Sequence, residues 1–273
     1  MKQDRLSKIT IRGYKSIAYD NPVTLNLQDV TLLIGANGAG KSNILSFFKL
    51  LGFMINGALQ LYVEREGTSN AILHYGAKVT PQLSCELVYD NTKYKDTYQF
   101  TLTHASEGRM IISEENLHCL NTKTHNTPYV VNLIPNYRES ALLQSRDGKA
   151  EVVKNMLLKT KFYQFHDSSS NGSLRQASLI DTANYLQTYA TNLASFLFFL
   201  EKNYPVEFRK IEELVSFVVP NFRKFYLVPN KGYVSLKWYD TSGNDYVLTA
   251  DQFSDGSIRF IALATLLLQP KET

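Results

Sequence analysis

Hydrophobic positions along this chain recur with two periods, and the exchange of one for the other marks its elements. Residues 8–17 (KITIRGYKSI) and the run 31–34 (TLLI) read as short strands, rich in β-branched and apolar side chains. From Ile44 the apolar residues Phe47, Phe48, Leu51 and Phe53 fall at helical spacing. Residues 83–120 alternate again ("CELVYD", "TYQFTLT", "RMIIS"), with Asp-Asn and Glu-Gly breaks, and predict an antiparallel meander. Polar stretches at 121–135 and 167–173 read as loops. Amphipathic helices are predicted over 181–199 and 205–219, then a hairpin over 223–240 with its turn near 230–232. Ile258, Ile261, Ala262, Thr265 and Leu266 give a last helix one inward face. No heptad series is sustained, which excludes a long coiled-coil arm.

Composition narrows the class. With 273 residues, 44% apolar and 20% charged, the chain can bury one large core or two smaller ones, and disorder is excluded. The net charge of +4 is too slight to impose a nucleic-acid partner, and no run of five like charges occurs. The N-terminus (MKQDRLSKITIRGY) has no apolar leader, and no stretch approaches 18 uninterrupted apolar residues, so a cytoplasmic chain without a membrane partner is expected. Cys85 and Cys119 lie outside any C-x-x-C pattern and read as buried apolar side chains. His74, His104, His118 and His125 show no metal-ligand spacing.

The chemistry lies in "TLLIGANGAGKSNILSFFKLL", where Gly35, Gly40, Lys41 and Ser42 satisfy G-x-x-x-x-G-K-[ST]. A strand turning sharply into a helix needs glycine, and the unpaired N–H groups of the loop and first helical turn converge on an anion. Lys41 is then the candidate for the β and γ phosphates of ATP, and the Ser42 hydroxyl for the Mg²⁺ shell. Asn37, Gly38, Ala39 and Asn43 complete the candidate cofactor-binding loop. The bland alternative is a chance glycine-rich turn, which the preceding strand and following helix disfavour.

GANGAGKSN, with the strand 8–17 upstream, resembles the ABC, SMC and RecF type of ATPase, in which the first strand ends in an aromatic-basic-Ser motif near the nucleotide. Tyr14, Lys15 and Ser16 match that motif, and the resemblance implies that Lys15 lies near the phosphates; a solvated lysine at a strand end is the alternative. "FSDGSIRF" resembles the ABC signature, with Ser254 and Gly256 in the Ser-x-Gly places and Arg259 one turn on. Ser254 can cap the last helix, Gly256 permits close backbone approach, and the helix N-terminus favours an anion. In these families the signature serves the nucleotide of the opposite subunit, which implies an ATP-sandwich dimer or higher homo-oligomer. An ordinary turn or N-cap is the alternative.

Over residues 8–270 the chain resembles compact bacterial AAA/ABC-type ATPases, through "LHYGAK" (73–78), "FYQFHDSSS" (162–170), residues 192–222 and "FSDGSIRFIALATLLLQP". Their relatives include the Septu (PtuA) and retron-associated ATPases of anti-phage systems, which act with an HNH nuclease. In "FYQFHDSSS" the resemblance offers Gln164 as a Q-loop glutamine that senses Mg²⁺; His166 and Asp167 read equally as a strand-end pair without catalysis.

The resemblance further implies a strand ending in Asp-Glu after the signature, whose carboxylates serve Mg²⁺ and the attacking water. "SLID" (178–181) and "ELVYD" (86–90) do not fit it, so no catalytic residue is assigned and the chain is expected to stop before that strand. The expected fold is an α/β P-loop NTPase of ABC/SMC type: N-terminal strands, phosphate loop and first helix over 1–60, a β-rich part over 61–165, a helical subdomain over 166–221, and hairpin and signature helix over 222–273. Three functions stay open: an ATP-driven switch acting on an effector such as an HNH nuclease, with DNA or RNA contacted through that partner; a RecF-like ATPase clamping DNA; and a nucleotide binder without hydrolysis.

Overall fold

The alternation of residues 83–120 becomes the middle of a six-stranded sheet. A computed structural model describes residues 5–124, 127–133, 137–165, 167–169, 172–243 and 246–270, and its contacts divide into two compact units, Met1–Lys161 and Phe162–Thr273. In the first unit the elements run β1 (Arg5–Arg12), β2 (Val23–Asn26), α1 (Lys41–Ile55), α2 (Leu59–Glu66), α3 (Ser69–Ile72), β3 (Gln82–Asp90), β4 (Tyr94–His104), β5 (Met110–Asn121), β6 (Tyr129–Asn132) and α4 (Gly148–Lys159). The strands pair antiparallel in the order β2-β1-β3-β4-β5-β6.

The period of two sorts this sheet into a wet face and a dry one. Ile9, Ile11, Leu87, Tyr98, Phe100 and Leu102 are buried, together with Phe47, Leu50 and Met54 of α1, Tyr62 of α2, and Val153 and Leu157 of α4. The opposite face carries Lys8, Glu86, Gln99 and Thr101; Lys8 Nζ lies 2.9 Å from Glu86 Oε1, and Gln99 Nε2 donates to Glu86 Oε2 at 2.9 Å. Two carboxylates break the pattern, Asp96 of β4 and Glu115 of β5. Glu115 of β5 is buried, and its oxygens accept from Tyr98 Oη (2.6 Å), Ser140 Oγ (2.5 Å) and the Ala141 N–H (2.8 Å). An unmatched buried carboxylate would cost several kcal/mol, so these three donors tie residues 140–141 to the sheet.

The run 31–34 does not form the predicted strand. Among the described residues nothing pairs with it, and Val30, Leu32 and Ile34 are exposed. Strand propensity alone supplies no partner for backbone N–H and C=O groups, so without a neighbour the segment does not become a strand.

The second unit contains β7 (Ser178–Leu179), α5 (Leu193–Asn203), α6 (Pro205–Val218), β8 (Phe222–Phe225), β9 (Tyr233–Val234), β10 (Lys237–Asp240), β11 (Val247–Thr249) and α7 (Asp255–Leu268). Its core gathers Phe196, Leu197 and Leu200 with Ile211, Val215, Phe222, Trp238, Phe253, Ile258 and Ile261; the rings of Trp238 and Phe253 stack at 4.7 Å. The predicted hairpin exists as β8 against β10, with Gly232 at φ 83° in the turn, but β9 leaves it to pair with β7.

The helix predicted over 181–199 is cut short: α5 begins only at Leu193. Asn192 is buried, donates to the carbonyls of Thr182 (2.6 Å) and Tyr185 (2.7 Å), and accepts from the Gln187 N–H (2.9 Å). One side chain thereby satisfies three backbone groups of irregular chain, competing with the helix as asparagine does. No helix among the described residues is long and apolar enough to cross a membrane.

Candidate functional site

The phosphate-loop residues occupy the turn into α1, and two of its glycines are required by the backbone. Gly38 and Gly40 have φ of 85° and 88°, where a Cβ is disfavoured, and a Cβ on Gly40 would also approach Ser16 Oγ to 3.2 Å. Gly35 has no such constraint: its Cβ would make an ordinary contact, 3.5 Å from that of Ala39. Gly40 is the N-cap of α1 and offers no side-chain cap, and no acid stands in the first turn. The Asn43 N–H donates to the Gly40 carbonyl at 3.0 Å, and with neither cap nor acid the positive end of the α1 dipole is uncompensated beside the exposed Ser42. Lys41 Nζ folds back across the loop and donates to the carbonyls of Gly35 and Ala36, both at 2.7 Å. Donors, glycine backbone and cation together suit a phosphate chain.

A network of hydroxyls holds this loop from below. Asn43 Nδ2 donates to Ser16 Oγ at 2.6 Å, and Ser46 Oγ to the Asn43 carbonyl at 2.9 Å. Tyr14 Oη bonds both Ser46 Oγ (2.9 Å) and Tyr62 Oη (2.7 Å). Tyr14 is wholly buried, its ring edge-on to Phe47 at 5.0 Å, so it supports α1 and presents no face to a ligand. Burial raises its phenol pKa, against the pull of the Ser46 and Tyr62 bonds, and keeps it a neutral donor.

Lys15 turns away to Glu66 of α2, with Nζ 2.8 Å from Oε2 and both side chains half-buried. Desolvation alone would lower its pKa; the Glu66 bond and the nearby Tyr14 outweigh that and raise it, so Lys15 is held as a cation. Its neighbour Ser16, rather than Lys15 itself, touches the loop. The turn is braced by the "LHYGAK" segment and the residue before it: Lys15 N–H donates to the Ile72 carbonyl (2.8 Å), His74 N–H to that of Gly13 (3.1 Å), and His74 Nδ1 lies 2.8 Å from the Lys15 carbonyl. Glu66, Ser46 and His74 were not singled out by motif; only His74, inside a segment that carried the resemblance, gave a signal.

The second group of candidates lies in the other unit. Ser254 caps α7, its Oγ accepting the Ser257 N–H at 3.0 Å, and Ser254, Gly256 and Arg259 are exposed around the first turn. Gly256 is an ordinary helical glycine with open space around it, its Cβ position 3.8 Å from Ser254 Oγ. Gln164 lines a cleft of about 350 Å³ with Asp167, Ser173, Tyr189 and Thr191. Asp167 Oδ1 accepts from Ser169 Oγ at 2.7 Å; that bond first, then the backbone N–H groups of Ser173 and Ser169, hold its carboxyl below the usual value. His166 and His125 lie outside the described residues. Ser178 of "SLID" is tied into the fold by Ser195, whose N–H donates to Ser178 Oγ at 3.0 Å, and Glu86 of "ELVYD" pairs with Lys8.

Among the described residues no group of three or more His, Cys, Asp or Glu could hold a metal ion. Ser42 is exposed in the first turn of α1, and Gln164 lies in the other unit's cleft. Cys85 and Cys119 are buried; burial raises both thiols, that of Cys119 to about 12, and both stay protonated.

A family model described as "AAA domain, putative AbiEii toxin, Type IV TA system" matches residues 30–273. That span runs from the segment before the phosphate loop through α7. A comparison with curated proteins finds no match.

Proposed function

The chain belongs to this AAA-domain family, and from that premise we propose that it is the ATP-binding part of a switch that closes when copies associate around the nucleotide. The observation that carries the reading is the uncapped, acid-free start of α1 with Lys41 lying across the Gly35 and Ala36 carbonyls. On binding, the Lys41 ammonium exchanges two neutral acceptors for the β and γ phosphate oxygens, a stronger charge-assisted pairing. Gly38 and Gly40 let the backbone approach those oxygens, and Ser16 with Asn43 keeps the loop in register. Mg²⁺, held in part by Ser42, would supply charge neutralisation between the phosphates.

The resemblance of Ser254, Gly256 and Arg259 to an ABC signature supports a second contact, made to the nucleotide of another copy. In this reading Gln164 is the glutamine that senses Mg²⁺, and the closed assembly licenses an effector such as an HNH nuclease in defence against phage.

The test measures association and turnover in parallel. ATP-γ-S should drive the wild type into dimers or higher species, and Lys41→Ala should abolish this by weakening nucleotide binding about 10–100-fold, the worth of charge-assisted hydrogen bonds. Ser254→Arg should bind nucleotide and stay monomeric. Association indifferent to both substitutions would refute the paired-site reading, while nucleotide binding that survives Lys41→Ala would refute the loop itself.

A further inference from the structure

Arg175 makes three bonds that join segments distant in sequence. Its side chain is only 5% exposed, unusual for a group that is always charged. Nε donates to the Ser168 carbonyl at 2.9 Å, Nη1 to the Ala250 carbonyl, and Nη2 to Asp255 Oδ1 at 3.0 Å. These acceptors belong to the loop after Gln164, the turn before α7 and the first residue of α7. Ser168 is itself buried, so the guanidinium is anchored on its inner side and reaches outward only to Asp255.

Asp255 stands between Ser254 and Gly256, its side chain 65% exposed. A carboxylate in a first turn is favoured by the helix dipole, yet it repels any phosphate brought to the same turn. We propose that Arg175 is a positioning residue for that turn: its charge offsets Asp255, and its two carbonyl bonds hold the guanidinium where it can do so. The Ser254–Gly256 backbone is then left able to meet the phosphate of another copy's nucleotide. This rests on the signature reading given above. The fork geometry suits the task, because two donors fix the plane and the third faces the carboxylate.

A double-mutant cycle on the full chain tests it, with ATP-γ-S-driven association followed by sedimentation velocity and fluorescent-nucleotide affinity as the control. Arg175→Gln should weaken association about 10-fold, the worth of one unbalanced charge at an interface, while nucleotide affinity at the Lys41 loop stays within about two-fold. Adding Asp255→Asn to Arg175→Gln should recover most of the loss, because the charge left unbalanced is gone. A double variant no better than Arg175→Gln assigns Arg175 to packing alone and overturns the proposal. If Arg175→Gln does not fold, Arg175→Lys and Arg175→Met replace it: lysine keeps the charge without the fork and should lose less association than methionine, which keeps neither. Equal loss in both overturns the proposal. A wild type that fails to associate with ATP-γ-S removes the signature reading and this inference with it, whereas wild-type association without rescue removes only the inference.

Discussion

The two helix N-termini that carry the candidate chemistry are built in opposite ways. α1 opens on Gly40 in a left-handed conformation, without a side-chain cap and without an acid in its first turn. α7 opens on Ser254, whose hydroxyl satisfies the Ser257 N–H, and carries Asp255 balanced by Arg175. The first leaves its dipole uncompensated by cap or acid, and its cation rests on neutral carbonyls. The second satisfies much of its own valence, which keeps it stable while exposed. An open N-terminus costs stability and gains affinity; a capped one does the reverse.

The largest effect should come from beneath α1. Phe47→Ala removes a fully buried ring that meets Tyr14 at 5.0 Å, and the first unit should lose about 3–5 kcal/mol in urea unfolding, with nucleotide binding lost alongside. Retained nucleotide affinity in that variant would separate the loop from its floor and weaken the comparison. Next comes Gly40→Ala, which forces a Cβ into the left-handed region beside Ser16 Oγ; a cost of about 1–2 kcal/mol should appear mainly as weaker nucleotide binding.

Ser254→Ala should lower stability by about 1 kcal/mol, the usual worth of an N-cap, and leave the Lys41 loop unaffected in nucleotide titrations. α1 offers no comparable cap to remove.

The smallest effect concerns pH. Burial raises the pKa of the Glu86 carboxyl, but the Lys8 and Gln99 bonds and the charge of Lys8 outweigh it, leaving the value below the ordinary 4.5. A depressed carboxyl contributes stability that is present above its unfolded pKa and is lost as pH falls through the folded one. Between neutral pH and about pH 3 this pair should account for about 0.5 kcal/mol, discounted for its exposure, and Lys8→Met should remove that part of the acid dependence in urea midpoints.

Local pattern carried much of this. The G-x-x-x-x-G-K-[ST] loop, the meander, α6, and the Ser254 cap with its inward residues Ile258, Ile261, Ala262 and Thr265 were all legible, because each depends on side chains within a few positions of one another. The helix expected over 181–199 failed where Asn192 reached back seven and ten residues to close turns that no periodicity reports.

What the sequence by itself determined is therefore the glycine turn into α1, the meander, α6 and the capped start of α7, through short-range spacing and propensity, while α2, α3, α4 and β6 carried no such signal. Only the tertiary structure decided that Lys15 faces Glu66, that Ser16 braces the phosphate loop, that residues 31–34 lie unpaired, and that Arg175 serves Asp255, 80 residues onward. Those outcomes rest on which distant segments the two cores bring together, and a charge or a strand edge takes its meaning from the neighbour it meets.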